Sequence, residues 1–406
     1  MFAPLDGIRV IDLTTSVAGP YATLILGALG AEVIKIERPG QGDDTRAWGP
    51  PFWNDHSASY LALNANKRSL AVDLKSREGV EIVQRLAKTA DVFIQNLRPG
   101  VANRLSLGFD ALQASNPSII YCSIGAFGKR GPLSERPGYD PLMQAAGGIM
   151  SLTGEPGGPA VRAGASIVDQ GTGMWATIAI LAALRARDAG VVGAQLIDTS
   201  LYEIAINWLP YQVVGYLGSG QVPGPLGSGI EMVAPYEAFA ARDGLIMVAA
   251  GNDRLFAQLC ELLELPELVR DERFHTNPAR VKNRAALSEI LAERLRCEDV
   301  ATWLERLEHA GVPAAPVQNI AQMVAHEQTQ ALGILQPLDH PDIPDLRLVA
   351  LPLSINDERV EHRTPAPALG EHGSELLEEL GYTQEEADNL LKDGIVGLQH
   401  QPVSDS

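Results

Sequence analysis

GIRVIDLTTSVAGPYATLILGALGAEVIKIE, residues 7–37, decides how this chain folds. It opens on a β-branched run at 7–14 and passes through an apolar stretch at 19–30 that reads as helix. It closes on a second β-like run at 32–37. Pro20 falls in the first turn of that helix, where its missing N–H is no loss. Two strands joined by a helical crossover pair in parallel, and the connector is long enough for that. The first βα turn, TTSVAGPY, lacks GxGxxG, so a nicotinamide-binding site has no sequence support here.

The alternation repeats downstream: strand at 69–73, helix at 79–88, strand at 91–95, helix at 109–114 and strand at 118–123. The fold class is therefore α/β, with a large domain built on a parallel Rossmann-like sheet. Residues 164–187 (GASIVDQGTGMWATIAILAALRAR) place Asp169 between a β-like stretch at 165–168 and an apolar helix, where it reads as an N-cap. Residues 195–207 become helix-like toward their end, and 218–229 are a Gly/Pro-rich loop. A second, smaller α/β domain is expected over 230–325. It has a strand at 245–250, a turn at Asn252 and helices at 254–263, 287–296 and 300–310. Beyond it come a strand at 346–351, an extended RTPAPALG at 363–370 and a helical tail at 374–391. Residues 398–406 read as frayed.

Composition narrows the function. The chain has 406 residues, a net charge of −18 and three widely spaced cysteines, Cys122, Cys260 and Cys297. That charge argues against a nucleic-acid partner. The cysteines point to a reducing, cytoplasmic setting, with no disulfide framework and no zinc motif. The eight histidines show no ligand spacing, so no metal is expected. No membrane span and no secretory leader are read from the sequence. Residues 1–104 carry 12 Lys/Arg against 11 Asp/Glu, whereas the rest carries 20 against 39. The near-neutral first quarter is where an anionic ligand is expected.

Further blocks carry a resemblance. PLDGIRVIDLTTSVAGPYAT with LGAEVIKIERPGQGDDTR, LNANKRSLAVDLKS (63–76), DVFIQNLRPG (91–100), IYCSIGAFGKRGP (120–132), RPGYDPLMQAAGG (136–148) and PALGEHGSELLEELGY (367–382) follow in order. The chain resembles the class III CoA-transferases, the family of formyl-CoA and carnitine CoA-transferases that also holds alpha-methylacyl-CoA racemases. The resemblance implies an interlocked homodimer whose large domain combines 1–205 with a returning C-terminal segment, 345–406. It also implies that Asp169 is a nucleophile. Its carboxylate attacks an acyl-CoA thioester, a mixed anhydride forms, and CoA returns to give an aspartyl-CoA thioester that an acceptor acid then resolves. Position at a helix N-terminus favours the anion, and Gly171 and Gly173 leave room for an acyl group.

The same resemblance assigns a CoA site. Arg38 and Arg104 face the nucleotide end, with Asn96, Leu97 and Arg98 beside it. Val17 and Ala18 supply backbone at the first βα turn, and Asp73, Leu74 and Lys75 form part of the adenine pocket. Phe127 and Gly128 lie along the pantetheine arm, with Tyr139 and Asp140 nearby. CoA is a co-substrate here, and no tightly bound cofactor is implied. Asp140 also reads as the cap of a helix that begins near Pro141, and Glu237 is a supporting candidate. The racemase branch has a histidine at the position of Tyr139. A phenol, with an ordinary pKa of about 10, is a poor proton carrier near neutrality, so transferase is favoured over racemase. A Gly-rich loop at 224–232 matches one that closes over the site in formyl-CoA transferase. TRAWGPPF (45–52), PYEAF (235–239) and AGN (250–252) match the succinate–hydroxymethylglutarate (glutarate) branch. That implies succinyl-CoA as donor and a dicarboxylate as acceptor, with Arg46 and Arg162 as partners for a distal carboxylate.

Overall fold

The computed structural model describes residues 3–397; Met1, Phe2 and the stretch 398–406 lie outside the described residues. Contacts divide the chain into two compact units. The first comprises residues 1–147, 164–208 and 330–406, and the second 148–163 and 209–329. Residues 148–163, within the expected 1–205 domain, thus group with the second unit.

In the first unit, β1 (Arg9–Leu13) is followed by α1 (Ala18–Ala28) and β2 (Glu32–Glu37). A hairpin of β3 (Phe52–Trp53) and β4 (His56–Ser57) leads to α2 (Ala58–Leu63) and β5 (Lys67–Val72). Then come α3 (Arg77–Lys88), β6 (Val92–Gln95), α4 (Val101–Arg104), α5 (Phe109–Ser115) and β7 (Ile120–Gly125). α6 (Asp140–Ala146) and, in the second unit, α7 (Ile149–Leu152) precede α8 (Ile167–Asp188), β8 (Gln195–Ser200) and α9 (Leu201–Asn207). Six strands run parallel in the spatial order β5-β2-β1-β6-β7-β8, and Val396–Gly397 adds an antiparallel edge to β5. In chain order the parallel strands are 3-2-1-4-5-6, the arrangement of a doubly wound sheet. Val10 pairs with Val33 on one side and Val92 on the other. The helices cover the faces through patterns such as that of α3. Ser76 caps α3 by accepting from Gly79 N–H, and Ile82, Val83, Leu86 and Ala87 point inward.

Three elements differ from the sequence reading. The sixth strand, β8, occupies 195–200, where no strand was expected; it lies at the sheet edge and only its last residue is buried, so its apolar signal is weak. The tail at 374–391 is two helices, Gly373–Glu379 and Gln384–Lys392, separated where Gly381 adopts φ +82°. α8 begins at Ile167, with Ser166 in the cap position, so Asp169 lies inside the first turn and is not the N-cap. Among the described residues α8 is also long and apolar enough to cross a membrane. In the fold its buried face packs on α1, β7, β8 and α9.

The second unit holds a three-stranded antiparallel sheet of β9 (Tyr236–Ala240), β10 (Leu245–Ala249) and β11 (Ala314–Pro316). Helices Asp253–Leu262, Arg284–Leu295 and Val300–His309 close over a core that includes Phe239, Ile246, Phe256, Leu291 and Trp303. Asn252 caps the first of these helices through Leu255 N–H.

At the centre of the first unit lies a knot of buried charge. Asp12 accepts from Thr14 N–H at 3.0 Å, Thr23 Oγ1 at 2.6 Å and Lys67 Nζ at 3.2 Å. Lys35 Nζ donates to Asp43 at 2.8 Å and to Thr14 O at 3.0 Å. All four charged side chains are sealed from solvent. Burial works against charge on Asp12, yet Lys67, Lys35 and its hydroxyl donors hold its carboxyl down at about 2. Burial lowers Lys67 to about 8 despite the pull of Asp12. Removing one member strands the others without compensation, at a cost of roughly 3–5 kcal/mol. Lys35→Met is therefore expected to lower stability by about that amount in denaturant melts. A loss of about 0.5 kcal/mol, as at an ordinary surface position, would show that the charges are not coupled.

Candidate active site

A doubly wound sheet binds ligands outside the carboxyl ends of its strands, at the point where the strand order reverses. Here that point lies between β1 and β6. The turn after β1 is held there atom by atom. Asn96, just past β6, accepts from Thr15 N–H at 3.0 Å and donates back to Thr15 O at 2.8 Å. Asp43 Oδ1 accepts from Ser16 N–H at 3.1 Å, and Ser16 sits at φ +73°. Thr14 O is taken by Lys35. Gly19 must lack a side chain, because a Cβ there would lie 2.3 Å from the Thr14 side chain. Val17 and Ala18 follow this pinned turn and are buried at the start of α1.

The other expected site residues also follow carboxyl strand ends. Leu97 N–H donates to Gln95 Oε1 at 2.7 Å, and Arg98 is exposed beside it. After β5, Asp73 accepts from Lys75 N–H at 2.9 Å. Leu74 and Lys75 share a cleft of about 430 Å³ with Arg104, which the chain delivers on α4. Arg77 adds a third cation to that cleft and pairs with Glu81 at 2.9 Å. Arg38, after β2, turns instead to Gly42 O and pairs with Asp44. Phe127 and Gly128 follow β7. Phe127 packs on Tyr202 at 5.6 Å between ring centroids, and Gly128 takes φ +85°.

Two residues assigned to a distal carboxylate are otherwise engaged. Arg46 grips Glu37 with two bonds of 2.8 Å, reaches Pro367 O at 3.1 Å and lies 3.7 Å over the Tyr60 ring. Its charge belongs to the core of the first unit. Arg162 donates to Ala163 O at 3.1 Å within the 160–163 stretch. In the second unit Glu237 accepts from Ser288 Oγ at 2.6 Å. The Gly-rich loop is tied down there by Gly227 N–H to Gly154 O at 2.8 Å.

The decisive geometry surrounds Asp169. Because α8 precedes β8 and runs opposite to it, the helix N-terminus arrives at the carboxyl edge of the sheet. Ser166 makes no side-chain cap bond. The cap comes from another helix: Asp140 Oδ2 accepts from Val168 N–H at 2.8 Å and from Asp169 N–H at 3.2 Å. Gln144, one turn along α6, donates to the other oxygen at 2.6 Å. Asp140 thus caps α8, not the helix at Pro141, and is almost fully buried. Tyr139, beside it, is exposed. Asp169 itself is half-buried. Burial first, and the like charge of Asp140 second, push its carboxyl up to about 7. The helix end was expected to favour the anion; that effect is outweighed here.

Gly171 and Gly173 serve packing, not acyl-group space. A Cβ on Gly171 would lie 2.8 Å from Trp208, and one on Gly173 would lie 2.6 Å from Ala18 O. These close approaches let α8 seat against α9 and α1. No local pattern in the sequence announced the roles of Asp140, Gln144 and Asp43. The one available sign was that Asp140 and Gln144 are four residues apart, on one face of a helix.

The first unit thus holds a half-buried carboxyl of raised pKa and, separately, a cleft lined by Lys75, Arg77 and Arg104, and a carboxyl perturbed in this way is typical of a catalytic centre. Comparison with known proteins gives the family. Residues 5–373 match CoA-transferase family III. The chain is 39% identical over 399 residues to the succinyl-CoA:glutarate CoA-transferase of Homo sapiens, covering 98% of this chain and 91% of that protein. It is 39% identical over 384 residues to the succinate–glutarate CoA-transferase of Agrobacterium fabrum, covering 93% and 96%. Among solved structures, a CaiB/BaiF family protein from Brucella suis superposes with a TM-score of 0.83 at 39% identity, over 94% of this chain and 100% of that one. The helical turn at Asp169 and the cleft at Lys75 and Arg104 thus belong to a member of CoA-transferase family III.

Proposed function

We propose that this enzyme moves CoA from succinyl-CoA to a short dicarboxylate such as glutarate, with Asp169 as the nucleophile. The observation that carries this reading is a reachable carboxylate whose surroundings favour its uncharged state. Asp169 Oδ attacks the thioester carbonyl, CoA thiolate leaves, and a mixed anhydride joins the succinyl group to Asp169. Thiolate then attacks the aspartyl carbonyl, succinate leaves, and CoA rests on Asp169 as a thioester. The acceptor carboxylate attacks that carbonyl, expels thiolate and forms a second anhydride. Thiolate attacks the acceptor's carbonyl, which frees Asp169 and releases the new CoA ester. In each covalent state Asp169 carries no negative charge. The desolvation and the repulsion from Asp140 that burden the free carboxylate are relieved on acylation.

Lys75 and Arg104 supply cations for the phosphates of the CoA nucleotide, and the pinned turn at Val17 and Ala18 supplies backbone beside it. The distal carboxylate of the acceptor requires a donor other than Arg46, which is consumed by Glu37. A homodimer fits the same reading. In the first unit Trp175 and Ile178 of α8 are exposed, and in the second the helix Pro210–Ser219 buries none of its residues. A second copy would cover such surfaces.

Asp169→Ala is expected to abolish transfer from succinyl-CoA to glutarate, followed by mass spectrometry of the CoA esters, while CoA still binds. Hydroxylamine should trap an Asp169 hydroxamate in the wild type alone. Turnover by the variant would defeat the nucleophile assignment. Arg104→Ala should raise KM for succinyl-CoA about tenfold or more with little change in kcat, the size expected when one charged hydrogen bond is lost; an unchanged KM would remove Arg104 from the site. The pH profile carries a third test. With a carboxyl near 7, kcat/KM should rise with pH through that value as the nucleophile ionises. Asp140→Asn keeps an oxygen to cap α8 but removes the charge, so the rise should move to lower pH. An inflexion that stays in place would show that Asp140 does not act on Asp169 through its charge.

A further inference from the structure

Another group of donor atoms lies apart from every residue discussed above. The β3–β4 hairpin sets His56 against the loop at 338–345. His56 Nε2 stands 3.2 Å from Asp342 Oδ2, and the rings of His56 and His340 meet edge to face at 4.9 Å between centroids. One donor atom from each of His56, His340 and Asp342 lies within 4.8 Å of the others. The approach is held at a second point. Asn54 and Asp55, at φ +46° and +64°, turn the hairpin back, and Asn54 Nδ2 donates to Asp342 O at 2.7 Å. A cavity of about 360 Å³, lined in part by His340, opens on the same loop.

We infer that His56, His340 and Asp342 form a site for a divalent transition ion of the zinc class, which ties the hairpin to the loop. Around tetrahedral zinc, bonds of about 2.0–2.1 Å place neighbouring donors roughly 3.3 Å apart. His56 and Asp342 already have that spacing, and His340, with a donor atom within 4.8 Å of both, must move closer to reach it. Two imidazoles and one carboxylate suit zinc and its neighbours, and leave a fourth position for water. Calcium and magnesium prefer oxygen ligands.

Asp342 N–H donates to His340 Nδ1 at 3.1 Å, and a metal bond at either ring nitrogen replaces that hydrogen bond. A neutral imidazole is what a metal requires. His56 gives up its Nε2 proton to Nδ1 or to solvent, and the ion takes that proton's place between ring and carboxylate.

The test uses the full-length protein, stripped with chelator and titrated with zinc chloride by calorimetry at pH 7.5. One tight equivalent per chain is expected, with a rise in melting temperature. His340→Ala and Asp342→Asn should each weaken it roughly tenfold or more, the scale on which changes at a metal site act, and abolish the rise. Cobalt in place of zinc should give the visible absorption of a tetrahedral ion in the wild type alone. His340 is half-buried and Asp342 exposed, and circular dichroism can confirm that the variants remain folded. No binding below millimolar zinc, or tight binding that survives both substitutions, would overturn the inference. Neither outcome bears on Asp169.

Discussion

The knot of Asp12, Lys35, Asp43 and Lys67 is the constraint on which the first unit depends. Water cannot solvate these charges, so each must find its complement in the chain, and those complements set the geometry nearby. Lys35 holds the carbonyl of Thr14 and the carboxylate of Asp43, and Asp43 in turn holds Ser16. A β-branched residue, Thr15, is fixed between them by Asn96 from the next strand. The turn at the switch point is therefore rigid before any ligand arrives, which lowers the ordering cost of binding.

One helix terminus does two jobs that conflict. The free N–H groups at the start of α8 need a negative partner, and Asp140 supplies it from outside the helix. With its N–H groups satisfied in this way, the terminus has less to offer Asp169. What remains at Asp169 is burial and a like charge, both of which disfavour its anion. A carboxylate held in this way binds a proton more readily than a free one, as perturbed groups at functional sites often do.

Much of the fold was legible in the sequence because it rests on periodicity. The strands within the runs at 7–14, 32–37 and 91–95 are buried on both faces, and those runs read as strand. β8 was not legible, since an edge strand with exposed positions lacks that apolar run. At the site, the sequence singled out Asp169 but not its environment. Asp140 lies 29 residues away in the chain, and only the packing of α6 on α8 brings it to the helix end. Arg46 shows the opposite failure. Its charge suggested a ligand, yet the buried Glu37 beneath it had already claimed that charge.

The large sheet is sewn from three separated stretches of chain, and its last seam is Val396–Gly397 against β5. During synthesis β5 leaves the ribosome more than three hundred residues before that partner exists. Through that interval its outer row of amides and carbonyls stands open to other chains. The nascent chain thus carries an open edge through most of its translation, and Val396–Gly397 covers the Ala71–Val72 end of it on docking.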